Sequence, residues 1–596
     1  MQTNRPRLLA VAAAAALAIT GASALAGTPT ASAKGAPAKD TTVHLLAFND
    51  FHGNIDPPSG SGGLVNGVPA GGVEYLAHAV KAQRATDKTK TPYVYTVAAG
   101  DIVGGSPLVS AAFHDEPAVE EMNSLGLDVT SVGNHEFDEG VTELKRLQNG
   151  GCHPVDGCQD GDGFAGANYP MLAANVVDKV TGQPILAPYV IKKVGNAKIA
   201  FIGETLEGTP SIVNPAGIQT VNFLDEADTA NKYAKLLRKT EGVKAFVLLL
   251  HEGGQQNPPP AAADPNGCAN FSGAVTDIVK RLDPAFGIVI SGHTHRSYVC
   301  NLPNSSGKNS LVTSAGSAGT LLTDVTFTLG HTSKQFVSAS AVNSIVENGI
   351  KNPDGTYQKD ASGVFVKNPA LVDGPAKVIA DKYRTAVAPL ANQVVGGITA
   401  DITNASNAAG ESALGDVIAD GMLARTQSAG AQIGLMNPGG IRASLSYAFS
   451  PGGEAPGQVT YGEAFSVQPF NNLVVTVSIT GAQLKEVLEQ QFTGYAGQGS
   501  TKFLQVSAGF TYSYDTTRAL GDRISNMQLN GVPMDPAATY RVSTNDFVAN
   551  GGDGFTNFGP STNRVYAPGF DVDALTAYLA TGPIAPGPMN RITKIA

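Results

Sequence analysis

From Val43 to about residue 345, short apolar runs alternate with stretches of helical patterning, and the runs stop abruptly at polar clusters. Five of these runs read as strands: Val43–Phe48, Tyr93–Ala98, Val129–Val132, Ala245–Leu250 and Phe286–Ile290. Strands alternating with helical segments predict an α/β domain. A segment rich in Gly, Asp and Asn follows, from Asn348 to about Lys367. Pro369 to about Val394 then reads as one long amphipathic helix, with Leu371, Val378, Ile379 and Tyr383 near helical spacing. From Gly396 a second αβ region begins, with strands over Val474–Ile479 and Phe510–Tyr514 and a helix over Gly481–Gln491. No internal repeat is visible.

Composition narrows the class. The 596 residues are 42% apolar, and a single core stops growing near ~250–300 residues, so two domains are expected. Charged residues make only 15%, and Gly and Pro together stay below the level of low-complexity chains. Collagen, coiled coil and a disordered tail are excluded. At the N-terminus, Arg5 and Arg7 precede an apolar stretch from Leu8 to Thr20, with small-residue sites ending at Ala26 and Ala33. This reads as an export signal over 1–33, too short for the ~20 residues of a membrane span. Secretion to an extracellular, periplasmic or cell-envelope location is therefore expected. Without that segment, 38 basic face 50 acidic side chains, a net −12 against −10 for the full chain. An acidic surface lacking a basic stripe argues against a nucleic-acid polymer as partner. Four cysteines suit an oxidising compartment. Cys152 with Cys158 and Cys268 with Cys300 are the pairs read from their positions, the other two connectivities staying open. A zinc site from Cys152, His153 and Cys158 lacks the usual ligand spacing.

The chemistry gathers where the runs end. The first leads into Asn49-Asp50-Phe51-His52, the second into Gly100-Asp101, and the third into Gly133-Asn134-His135-Glu136-Phe137-Asp138. The fourth leads into His251-Glu252 and the fifth into Gly292-His293-Thr294-His295. In an α/β sheet the ligand crevice lies outside the carboxyl ends of the strands, so these segments can converge. Carboxylate, imidazole and amide oxygen together suit Zn²⁺, Mn²⁺ or Fe²⁺ better than Ca²⁺. The donors are too many for one tetrahedral ion and suit a pair bridged by an Asp, ~3.5–4 Å apart. Glu136 is expected to orient the site rather than ligate. His114 and His331 have no partner in sequence and read as surface residues. The acidic loop from Asp156 to Asp162 lacks the closing Glu of a calcium loop.

The series Asp50-x-His52, Gly100-Asp101, Gly133-Asn134-His135-Glu136, His251 and Gly292-His293-Thr294-His295 resembles the calcineurin-like metallophosphoesterases. A second series, Asn437-Pro438-Gly439-Gly440-Ile441-Arg442, Pro469-Phe470 and Asn550-Gly551-Gly552-Asp553-Gly554-Phe555, is similar to the C-terminal domain of secreted 5′-nucleotidases and UDP-sugar hydrolases. The resemblance covers nearly all of the chain after residue 33. It implies a four-layer α/β/β/α metallophosphoesterase domain over 43–345, a linker and hinge helix over 346–394, and a C-terminal αβ substrate-binding domain over 395–596. It implies one ion held by Asp50, His52, Asp101 and His295, and another by Asp101, Asn134, His251 and His293. Both would be Zn, Mn, Fe or Co, and His135 with Asp138 would be the catalytic pair. Phe470 and Phe547 would sandwich the base, Asn437 and Gly440 would face it, Asp553 would take the ribose hydroxyls, and Arg442 the phosphate. The implied activity is phosphate release from nucleoside 5′-monophosphates by a hydroxide between the ions, UDP-sugars and other nucleotides being further candidates. A 2′,3′-cyclic nucleotide phosphodiesterase/3′-nucleotidase is the alternative. A non-catalytic binding protein is disfavoured, because every ligand and the His-Asp pair are present. One departure stands out: no Lys or Arg occurs between Arg384 and Arg425, where relatives carry arginines for the phosphate.

Overall fold

Strand β1 (Thr41–Phe48) shows how the first sheet is built. Successive side chains of a strand point to opposite faces, and here both faces are apolar: Val43, Leu45 and Ala47 fill one core, Leu46 and Phe48 another. The structure, a computed structural model, describes residues 39–596 except 59, 160, 257–263 and 361–362. The expected export segment and Asp160 lie outside the described residues.

β1 pairs in parallel with β2 (Val94–Ala99), and β3 (Val129–Ser131) and β4 (Met171–Leu172) continue the same sheet in parallel. Apart from a two-stranded ribbon of Val176–Asp178 with Val221–Phe223, the following strands form a second sheet: β5 (Tyr189–Val194), β6 (Ala197–Thr205), β7 (Ala245–His251), β8 (Phe286–Ser291), β9 (Ser297–Pro303) and β10 (Asn309–Ala315). The chain then returns with β11 (Leu321–Leu329) and β12 (Phe336–Ile345) to complete the first sheet, in the order β12-β11-β1-β2-β3-β4. The second sheet has the order β9-β10-β8-β7-β6-β5. Val43, Leu45 and Val97 of one sheet share a core with Val247, Leu249 and Ile288 of the other. On the outer faces lie α1 (Val73–Lys88), α2 (Glu116–Leu125) and α3 (Gly140–Asn149) over the first sheet, and α4 (Glu226–Thr240) and α5 (Ala274–Arg281) over the second. The result is the expected α/β/β/α arrangement.

The long helix is shorter and differently rotated than its sequence suggests. Pro369–Leu371 forms a separate 3-10 turn, and α6 runs from Gly374 to Ala391, its first turn capped by the Asp373 carboxylate accepting from Ala376 N–H at 3.1 Å. Its buried face is Ala376, Ala380, Tyr383 and Val387, whereas Val378 is 72% exposed. Small alanines let α6 lie close to α1 and α2, and Tyr383 meets Phe113 edge to face at 4.8 Å.

In the C-terminal half, α7 (Ala413–Arg425) precedes a five-stranded sheet and the helices α8 (Tyr461–Val467), α9 (Gly481–Glu489) and α10 (Asp571–Leu579) cover or flank it. Its strands are β13 (Ile433–Met436), β14 (Leu473–Thr480), β15 (Gln505–Val506), β16 (Thr539–Asn545) and β17 (Thr562–Phe570), in the order β15-β13-β16-β14-β17. One apolar cluster runs from Leu76 and Val119 through Ala380 and Tyr383 to Leu414, Phe465 and Leu575, joining the two halves. Disulfides link Cys152 with Cys158 and Cys268 with Cys300, the pairs read from the sequence. No helix of the described residues is long and apolar enough to cross a membrane.

Candidate active site

The carboxyl ends of β1, β2, β3, β7 and β8 bring their polar residues to one place. Asp50, His52, Asp101 and His295 form one group whose ligand atoms lie within 4.8 Å of one another, and Asp101, His251 and His293 form a second. Asp101 belongs to both. In the first group His52 Nε2 lies 2.9 Å from His295 Nε2 and 3.6 Å from Asp101, and His295 Nε2 lies 3.4 Å from Asp50. In the second, His251 Nε2 lies 2.9 Å from Asp101. Asn134 Oδ1 lies 3.0 Å from His293 Nδ1 and 3.2 Å from His251 Nε2. All seven residues named from the sequence as metal ligands therefore meet. Their nitrogen and oxygen donors, in two groups sharing one carboxylate, fit divalent ions of the zinc, manganese and iron class.

The local backbone explains why these residue types sit here. Asp50, His52, Asp101, His293 and His295 all have φ between 49 and 70, a left-handed conformation that costs a side-chain-bearing residue about 1–3 kcal/mol. Five of the seven expected ligands carry that strain. Gly100 precedes Asp101 for a steric reason: a Cβ there would meet His251 Nδ1 and Gly133 N at 2.6 Å. Buried polar groups then fix the donors. His251 Nδ1 donates to Ala99 O at 2.7 Å and His52 Nδ1 to Gly104 O at 2.8 Å, so each presents Nε2 to the centre. Glu136, as expected, orients: its carboxylate accepts from the N–H groups of Asp101, Ile102 and Gly133. Asn49 donates to Asp50 at 2.5 Å and accepts from Ala315 N–H. Asp115, which the sequence did not single out, accepts from Gly104 N–H at 2.9 Å and Ser110 Oγ at 2.6 Å.

Charge is balanced within this cluster. Burial pushes the Asp101 carboxyl up, but His251, His135 and His52 together hold it well below the usual range. Burial likewise lowers His251, yet the charge and hydrogen bond of Asp101 override it and raise the imidazole to about 10. His293 falls to about 4 through burial and the His251 charge. His135 opens a short 3-10 turn, and its Nδ1 lies 2.8 Å from Asp138 Oδ2. Burial lowers this imidazole, but Asp138 and Asp101 outweigh it and raise it. Its ring sits 5.1 Å from that of His52, beside the first donor group.

Two residues of the C-terminal half reach this centre. Phe470 stacks on His135 with ring centroids 5.6 Å apart and planes 15° from parallel, and the Arg442 guanidinium lies 5.7 Å over Phe470. Gly105 makes room, since a Cβ there would meet the Phe470 ring at 3.3 Å. The other expected substrate residues form a separate group. Asn437 Nδ2 donates to Asp553 Oδ2 at 2.7 Å while its Oδ1 accepts from Asn545 at 2.9 Å. Gly440 is buried beside Asn437, and Phe547 packs over Gly552. Lys502 donates to Asp553 Oδ1 at 2.6 Å, a cation that no motif in the sequence announced.

A family model for calcineurin-like phosphoesterases matches residues 43–297, and one for the 5′-nucleotidase C-terminal domain matches residues 389–560. The endonuclease YhcR of Bacillus subtilis is 32% identical over 518 residues, which make up 86% of this chain and 37% of that protein. The chain thus spans well under half of that relative's length. The cell wall protein Lmo0130 of Listeria monocytogenes is 30% identical over 568 residues, 91% of this chain and 68% of its own length. A solved 5′-nucleotidase precursor from Thermus thermophilus superposes with a TM-score of 0.72 at 26% identity, covering 93% of this chain and 99% of that one.

Proposed function

The chain belongs to the calcineurin-like phosphoesterases that carry a 5′-nucleotidase C-terminal domain, and we propose that it is an exported two-metal phosphohydrolase acting on nucleoside 5′-monophosphates. The observation that carries this reading is the pair of donor groups sharing Asp101, with His135–Asp138 beside them and Arg442 reaching in from the other half. Divalent ions held there would supply a water ionised near neutral pH and neutralise charge on the phosphoryl oxygens. Asp138 holds His135 in orientation and keeps it protonated, so that Nε2–H faces the oxygen on which charge develops. Arg442 offers a planar fork of donors to the phosphate. Asn437 and Asp553 take the nucleoside: the Asp553 carboxylate keeps lone pairs for ribose hydroxyls beyond those given to Asn437 and Lys502. Phe547 offers a face to the base. The hydroxyl in the converging segments, Thr294, donates to Gly254 O at 2.9 Å, so direct attack by water is the step that the residues support.

A second reading, a 2′,3′-cyclic nucleotide phosphodiesterase/3′-nucleotidase, gains from one feature, the lack of any Lys or Arg between Arg384 and Arg425. Phosphate release from AMP, 2′,3′-cyclic AMP, 3′-AMP, ADP, ATP and UDP-glucose, measured on the metal-loaded protein, separates the two. AMP is expected to be the fastest. Faster turnover of the cyclic ester establishes the second reading, and no release from any of the six ends both.

A further inference from the structure

The disulfide loop Cys152–Cys158 carries a group of metal-competent side chains outside the site described above. Sequence spacing gave His114 no partner, yet the fold gives it three. His114 follows the short helical turn Leu108–Ala111, Glu139 precedes α3, and His153 and Asp156 lie on the disulfide loop. The two imidazoles stack with centroids 3.7 Å apart and planes 14° from parallel. His114 Nδ1 lies 2.9 Å from Glu139 Oε2, and its Nε2 lies 2.9 Å from Asp156 Oδ2. His153 Nδ1 lies 3.2 Å from the same Asp156 oxygen. A nitrogen of each histidine and an oxygen of Glu139 fall within 4.8 Å of one another.

Two imidazoles at that separation cannot both carry a proton cheaply: like charges ~4 Å apart repel by about 4 kcal/mol at an effective dielectric of 20. One ring of the stack therefore keeps a lone pair, and His153 is that ring, its Nδ1 accepting from Asp156 N–H at 3.2 Å. With an ion between His114 Nδ1 and Glu139, Asp156 would accept from His114 Nε2–H and orient the ring, as a carboxylate does behind a metal-bound histidine. Two imidazoles and a carboxylate with an open side suit a zinc-class ion. The side chains of Glu139 and Asp156 are 48% and 43% exposed, which leaves a path from solvent.

We propose that His114, His153 and Glu139 bind a further divalent cation of the zinc class, oriented by Asp156, which pins the disulfide loop to the turns that build the active site. Glu139 directly follows Asp138, the partner of His135. His114 directly precedes Asp115, which holds Gly104, whose carbonyl in turn fixes His52. Without the cation, the Glu139 hydrogen bond outweighs burial and raises His114 to about 9, with Glu143 and Asp156 adding to it.

The test uses the whole chain, stripped by chelator and dialysed against Zn²⁺, with zinc counted per chain. His153→Ala is expected to lose one equivalent relative to the unaltered protein. The same single loss is expected when His153→Ala is added to Asp101→Asn, whether or not that variant still fills the other centre. Glu139→Gln keeps the side chain's shape and is expected to weaken the same equivalent by ~10–100-fold, which decides the matter where the alanine variant fails to fold. Equal zinc content in folded His153→Ala, or unchanged affinity in Glu139→Gln, overturns the proposal and leaves His114 as an imidazolium between two carboxylates.

Discussion

Asp101 touches both donor groups, so changing it asks whether they act as one centre. An amide bridges two cations poorly, and Asp101→Asn is expected to lower occupancy at both together, with metal analysis as the check. Loss from one group alone would mean that the groups are independent. His135→Ala probes a different role: metal content stays unchanged while kcat falls by ~10²–10⁴. If metal falls instead, His135 is a ligand. The seven donors were legible because each lies within five residues of the end of an apolar run, where an α/β sheet exposes its crevice. Asp115 and Lys502 were not legible, for a common reason. Each acts on a partner brought near by the fold, Asp115 on Gly104 across a turn and Lys502 on Asp553 across 51 residues of chain. A lone Asp or Lys carries no spacing signal of such a contact.

The elements were legible in kind, and their faces less so. The strands match their apolar runs to within two residues at either end, because a run buried on both faces ends where the sheet ends. Helix α6 misled at one position of its expected face: Val378 faces solvent, while Ala376 and Ala380 are buried with Tyr383 and Val387. On α2, Glu121 is fully buried, with neither carboxylate oxygen hydrogen-bonded. Burial, with Glu74 nearby, raises it from 4.5 to about 9, against the pull of Arg384. The folded state keeps this proton across a window in which the unfolded chain has released it. Stability is therefore full below pH 4.5 and falls as pH rises toward 9. Glu121→Gln is expected to remove that slope and to stabilise the protein by about 1–3 kcal/mol at pH 8, with little gain at pH 4.5. Thermal unfolding of both proteins across that range is the measurement, and parallel curves would mean that Glu121 titrates normally.

At the scale of the whole molecule, the halves meet through a continuous apolar core and again at the active site, where Phe470 and Arg442 come within reach of His135. This arrangement separates two demands on a substrate. On the proposed function the phosphate end would meet Arg442 and the nucleoside end Asn437, Asp553 and Phe547, with Lys502 donating to Asp553. Variants at the two ends should therefore respond differently to a substrate that lacks a nucleoside. Arg442→Ala is expected to lower kcat/KM by about 10²–10³ for AMP and for a simple aryl phosphate alike, because a charged donor is lost from the reacting group. Phe547→Ala should raise KM for AMP more than it lowers kcat, stacking being worth about 1–3 kcal/mol per base. The aryl phosphate should not notice the change. Lys502→Ala should follow Phe547→Ala: Asp553 then keeps only its Asn437 hydrogen bond, and KM for AMP rises about tenfold. The decisive comparison is the ratio of the two substrates in each variant. A Lys502→Ala that slows aryl phosphate as much as AMP would place Lys502 at the phosphate, supplying the cation that residues 385–424 lack. A mild Arg442→Ala with an unchanged KM in Phe547→Ala would mean that the nucleotide is held by other residues, and the cyclic-ester reading would then be favoured.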